Sequence, residues 1–186
     1  SLGYVPDLAA RALASQKSTQ VLVLVPMLSN TLFVDVLEAA HKVLFARGYH
    51  MLIGVTHYDS QEEEQLLRAY LPMRPAGLLL TGFDHSEASR KLLAANPVPR
   101  VHLMELHQAE RSQDTYSVGF SQTQAGAEIT QHLLDKGYRR IAFCAAQLDA
   151  RVMQRLEGFR QVLKQANLYD PALVFLDPER SSMALG

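Results

Sequence analysis

The chain has 186 residues, 48% of them hydrophobic and 20% charged, with a formal net charge of −1. A chain of this size buries roughly 70% of its unfolded surface, and its near-neutral charge argues against a free-standing nucleic-acid binder, which carries a basic stripe. One cysteine, Cys144, excludes an internal disulfide framework and suits a reducing compartment.

The dominant pattern is alternation of short apolar runs with amphipathic stretches. Residues 21–25, Val-Leu-Val-Leu-Val, form a continuous apolar run, as expected of a parallel strand covered on both faces. Even extended to residue 28 across Pro26, this longest run is far short of the about 20 residues that a membrane helix needs. Residues 30–47 place Leu32, Phe33, Val36, Leu37, Ala40, Val43 and Leu44 at helical spacing, with Asn30 as N-cap and Gly48 as the C-terminal glycine. A second strand follows over residues 49–55. Ser60-Gln61-Glu62-Glu63 reads as a capping box whose glutamates complement the helix dipole, and that helix ends before Pro72. Residues 77–81, 86–95 and 101–104 read as strand, helix and strand. After a polar stretch over 107–114, residues 116–119 read as a strand and 121–136 as a helix closed by Gly137. Strands over 141–145 and 173–175 flank a helix over 150–166. This order predicts an α/β fold with a parallel, doubly wound sheet and right-handed crossovers. Gly48-Tyr49 and Gly137-Tyr138 each join a helix to a strand, which hints at two related lobes.

Residues 2–15, running Leu-Gly-Tyr-Val-Pro-Asp and on through Ala9-Ala10-Arg11-Ala12-Leu13, resemble the hinge segment of the lac repressor family, with Asp7 in place of the usual Asn. The resemblance continues through Pro26 and Ser29-Asn30-Thr31-Leu32-Phe33, Gly77-Leu78-Leu79-Leu80, Gly119-Phe120-Ser121-Gln122, Gly137-Tyr138-Arg139-Arg140-Ile141 and Arg155-Leu156-Glu157-Gly158-Phe159. Within the family, Gly119-Phe120-Ser121 and Leu148-Asp149-Ala150-Arg151 are most similar to the gluconate-utilisation repressor branch, where Gln122 replaces an Asn. The resemblance implies a two-lobed, periplasmic-binding-protein-like (type I) sensor domain, present as a C-terminally truncated fragment. Residues 1–20 are then hinge and linker after a missing helix-turn-helix head, 21–120 the N-terminal lobe, and 121–186 an incomplete C-terminal lobe. Open strand edges in an incomplete sheet pair readily with another chain, so the isolated chain is expected to self-associate.

The family also implies the functional residues. Ala10 and Leu13 would contact operator DNA through the hinge, with Leu13 as a minor-groove wedge that stabilises a bent complex. Open parallel sheets bind ligands at the carboxyl ends of their strands, so Asn30, Phe33, Tyr58, Arg151 and Arg155 are the effector-binding candidates. Arg151, just inside a helix start, is the carboxylate partner expected for a sugar acid. Each has a plainer alternative: Asn30 as a helix cap, Phe33 as core, Tyr58 as an exposed loop residue, Arg151 as a solvated arginine and Arg155 as a structural one. His102 and His107 around Glu105 lack the fixed spacing of a metal site, and Cys144 reads as inert core. The sequence has no G-x-S-x-G, P-loop or G-x-G-x-x-G, so no cofactor and no enzymatic chemistry is expected. The expected protein is a cytoplasmic, homodimeric repressor that binds operator DNA and a sugar or gluconate-like sugar acid, without membrane contact. The alternative is a periplasmic sugar-binding protein of the same fold.

Overall fold

The computed structural model describes residues 18–106 and 115–179. The hinge candidates Ala10 and Leu13, together with His107, lie outside them. The described residues divide into two compact units, one comprising residues 18–103 and 115–118, the other 104–106 and 119–179.

The first unit is built on a five-stranded sheet in the order β2-β1-β3-β4-β5. Its strands are β1 (Gln20–Val25), β2 (His50–Val55), β3 (Gly77–Thr81), β4 (Arg100–Glu105) and β5 (Thr115–Phe120), the last two running on across the division between units. β1 pairs in parallel with β2 and with β3, and β3 with β4. Helices α1 (Thr31–Phe45), α2 (Ser60–Tyr70) and α3 (Glu87–Ala95) form the successive crossovers. The apolar run of β1 is buried along Val21–Val25, as its lack of alternation requires for a strand covered on both faces. Leu22 and Leu24 pack with Leu78 and Leu80 of β3, Leu67 of α2 and Leu93 of α3 in one cluster. With β2 at the edge on one side of β1 and β3 on the other, strand order reverses between β1 and β3. The carboxyl ends of those two strands are therefore the switch point at which such sheets bind ligands.

The second unit contains α4 (Gln122–Asp135), a parallel pair formed by β6 (Phe143–Ala146) and β7 (Val174–Asp177), and α5 (Ala150–Gln165). Leu134, Ile141, Leu156, Phe159 and Leu163 form its core. Helices α4 and α5 cross with their backbones in contact. A Cβ on Gly126 would overlap the Arg155 carbonyl oxygen, and one on Gly158 would overlap that of Thr123. Only glycine at both positions allows this approach.

Three local details differ from the sequence reading. The cap of α2 is Asp59, whose carboxylate accepts from the Gln61 and Glu62 N–H groups, so the residue before the Ser60 box takes the capping position. Asp59 follows two residues with positive φ, and its extended backbone suits the cap. Leu173 belongs to a short 3-10 turn over Pro171–Leu173, and the strand begins at Val174. Cys144 is exposed rather than core, because its neighbour Phe143 packs on Phe159 and successive residues of β6 face opposite sides.

Candidate functional site

The switch point of the first unit is assembled by three strand exits. At the end of β1, Asn30 caps α1: its Oδ1 accepts from Leu32 N–H at 3.0 Å. Asn30 is thus a helix cap on an exposed edge, as the N-cap rule expects. Phe33, three residues on, is 3% exposed and faces inward. At the end of β2, Thr56 N–H still bonds Val25 O at 3.0 Å, and then His57 and Tyr58 both adopt left-handed backbone, with φ of 48° and 57°. Two consecutive non-glycine residues in that region cost on the order of 1–3 kcal/mol each. They persist because Asp59, just beyond, caps α2, and because His57 Nδ1 lies 2.6 Å from Glu62 Oε2. The turn holds the half-buried Tyr58 at the strand exit.

At the end of β3, the Thr81 hydroxyl donates to Leu24 O at 3.0 Å, tying the two switch-point strands together. Gly82 follows with φ of 71°, and its N–H donates to Leu103 O at 2.9 Å. Phe83 then stacks on His102 of β4, with ring centroids 4.1 Å apart.

In the second unit, the β6–α5 turn carries Arg151. Gln147 has φ of 54° and its carbonyl accepts from Asp149 N–H at 2.6 Å. Asp149 caps α5, with Oδ1 accepting from Val152 N–H at 2.9 Å and Oδ2 lying 2.8 Å from Arg151 Nη2. The two side chains are 14% and 19% exposed, so Arg151 lies against a carboxylate of its own turn in a partly buried position. Anion binding at this helix start is therefore already partly satisfied by the chain itself. Arg155, one turn later, is exposed, but its Nε donates to Gln122 Oε1 at 2.7 Å. Gln122 is 2% exposed and its Nε2 donates to the carbonyl of Met104, a residue with φ of 71°. Gln154 donates to the buried carboxylate of Glu105 at 3.2 Å. Gln122 therefore couples α5 to the end of β4.

The structure places Asn30, Phe33 and Tyr58 on the first unit and Arg151 and Arg155 on the second. His85, which the sequence does not single out, and His102, which it raises only as half of a loose metal spacing, are buried beside the β3 exit. Among the described residues no group of three or more His, Cys, Asp or Glu could hold a metal ion. No helix among them is long and apolar enough to cross a membrane.

Residues 18–185 match the family described as periplasmic binding proteins and sugar-binding domain of the LacI family. The chain is 50% identical over 185 residues to the HTH-type transcriptional regulator GntR of Pseudomonas aeruginosa, an alignment that takes in 100% of this chain and 53% of that protein. GntR of Escherichia coli is 30% identical over 167 residues, 90% of this chain and 50% of the relative. The chain thus spans about half the length of these curated relatives. The structure of a GntR transcription regulator from Chromobacterium violaceum superimposes with a TM-score of 0.81 at 50% identity, covering 89% of this chain and 60% of that one. A LacI-family regulator from Silicibacter pomeroyi gives a TM-score of 0.87 at 36% identity, with coverage of 98% and 54%. With an α/β core built on a parallel sheet, a ligand-type switch point and this match along nearly its whole length, the chain belongs to the family of periplasmic binding proteins and LacI-family sugar-binding domains.

Proposed function

We propose that this chain is the effector-sensing and dimerisation region of a cytoplasmic, DNA-binding transcriptional repressor that responds to a sugar acid such as gluconate. The observation that carries the reading is the 50% identity, along the whole chain, to a regulator named GntR. The hinge resemblance of residues 2–15 supports a regulator over a periplasmic binding protein of the same fold. The relatives at 30% identity or more are named as transcriptional regulators, which supports a binding role without turnover.

Arg151 is assigned the effector carboxylate. A guanidinium presents five N–H donors in a planar fork suited to a carboxylate, and Asp149 engages Nη2. Asn30 and Tyr58 are assigned hydroxyl contacts, Phe33 an apolar wall, and Arg155 a second polar contact held in place by Gln122. Effector binding changes operator affinity only if it favours one conformation, and such coupling is typically about 1–3 kcal/mol. The family's common arrangement is induction, in which effector releases DNA.

The test is calorimetric titration of the full-length protein with gluconate, 6-phosphogluconate and a neutral sugar, repeated with Arg151→Ala. One acid binding the wild type, and losing about tenfold or more in the variant as expected for a charge-assisted pair, supports the assignment. Binding of the neutral sugar alone, or acid binding indifferent to Arg151, removes the sugar-acid reading and leaves the family unchanged.

A further inference from the structure

Beside the β3 exit, three polar side chains from three elements meet inside the first unit. Glu63 comes from α2, His85 from the loop before α3, and His102 from β4, where it stands opposite Leu80 of β3. His85 and His102 are 7% and 4% exposed, and the Glu63 side chain is 12% exposed. His85 Nδ1 lies 3.0 Å from both carboxylate oxygens of Glu63. Its Nε2 is 3.4 Å from His102 Nδ1, which is itself 2.7 Å from the carbonyl oxygen of Gly82.

One arrangement of protons satisfies these four contacts together. A carbonyl oxygen only accepts, so the His102 nitrogen 2.7 Å from it carries the hydrogen. His85 Nε2 faces that N–H and must therefore offer a lone pair. The ionised Glu63 carboxylate also only accepts, so the single proton of His85 is on Nδ1. A second proton on His85 would set N–H against N–H. Relief requires His102 to shift its proton to Nε2 and give up the Gly82 carbonyl, or the two rings to separate. Either change disturbs Gly82, held at a φ of 71°, and Phe83, stacked on His102.

We propose that Glu63, His85 and His102 form a pH-sensitive positioning relay for the effector site. With His85 singly protonated the Gly82–Phe83 turn is held for binding, and acidification releases it and weakens the effector. The inference rests on the effector reading above. Among the described residues, the charged and titratable groups bonded to His85 are Glu63 on α2, His102 on β4, and Arg90 on α3, whose Nη1 donates to the His85 carbonyl at 2.6 Å. Asp84, beside it in the loop, is exposed. Imidazoles change charge between about pH 5 and 8, whereas a sugar-acid carboxyl, with a reference value of about 4, stays ionised over most of that range.

The experiment measures gluconate affinity of the full-length protein at about pH 8 and about pH 5.5, in wild type and His85→Gln. The glutamine can present an amide oxygen to His102 at every pH. Wild-type affinity should fall about fivefold or more on acidification, and the variant should lose that dependence. Equal wild-type affinity at both pH values, or an unchanged slope in His85→Gln, overturns the relay. Long-range 15N–1H NMR of histidine-labelled wild-type protein reads the tautomers without any variant or ligand. His102 protonated on Nδ1 near neutral pH, with both rings changing together on acidification, is expected. His102 protonated on Nε2 alone overturns the relay. If gluconate binds at neither pH, the effector reading fails, and the tautomer measurement alone decides the relay.

Discussion

Asp149 holds two groups at once, the N–H of Val152 through one carboxylate oxygen and the guanidinium of Arg151 through the other. Substitution separates the two roles. Asn keeps an acceptor for the cap and removes the charge, whereas Ala removes both. The expected loss for Asp149→Ala is about 1 kcal/mol, the usual cost of an emptied N-cap, with Asp149→Asn close to wild type in capping strength. Thermal unfolding of the full-length protein checks this, and an Ala variant as stable as the wild type would show that the cap carries no weight. The same turn explains why Arg151 is demanding as a carboxylate site: an arriving acid meets a guanidinium already beside one anion. Like charges near one cation oppose each other, so effector geometry must differ from that of Asp149, or Asp149 must turn away.

Among the elements, the α4–α5 crossing is the tightest contact in the second unit. Gly126 and Gly158 each place their missing side chain against the other helix's backbone. Gly158→Ala is therefore expected to force the helices apart and lower stability by about 1–3 kcal/mol, the range for overpacking, despite alanine's better helix propensity. Denaturant unfolding monitored by circular dichroism reads the loss; a stabilised variant would contradict the close approach. Much of this level was legible in the sequence. The β1 run, the Asn30 cap and the alternation of strand and helix follow from local periodicity and cap chemistry, and they lie where expected. Asp59 displaced Ser60 as a cap because the preceding left-handed pair sets the chain direction, which no local pattern displays. The His85–His102 pair was illegible for a stronger reason. Its contact depends on the β3–β4 register and on a loop returning from β3, so two histidines 17 positions apart meet only after the sheet forms. Exposure of Cys144 likewise depends on which face of β6 the helices cover, which composition cannot specify.

At the scale of the whole molecule, α1 has more apolar surface than the first unit covers. Its buried residues are Phe33 and Leu37. Leu32, Val34, Val43 and Phe45 are 52%, 41%, 53% and 61% exposed. At 100° per residue, Leu32 and Val43 fall on one flank of the buried stripe and Val34 and Phe45 on the other. Single exposed apolar residues are ordinary, but four on one helix beside the edge strand β2, two on each flank of its buried stripe, leave apolar surface for an association partner to cover. On the proposed function, this helix is the expected homodimer face. Replacing all four by Ser should leave the fold intact, since exposed substitutions generally change stability by less than about 0.5 kcal/mol each. The dimer should suffer far more, because truncating central apolar residues costs about 2 kcal/mol or more at each hot spot. Sedimentation of the full-length protein is expected to show a dimer in the wild type and a shift of about a hundredfold or more in its dissociation constant in the variant. A variant that stays dimeric at the wild-type concentration would move the interface elsewhere on the molecule. A monomeric wild type would remove the paired hinges through which the proposed repressor holds its operator.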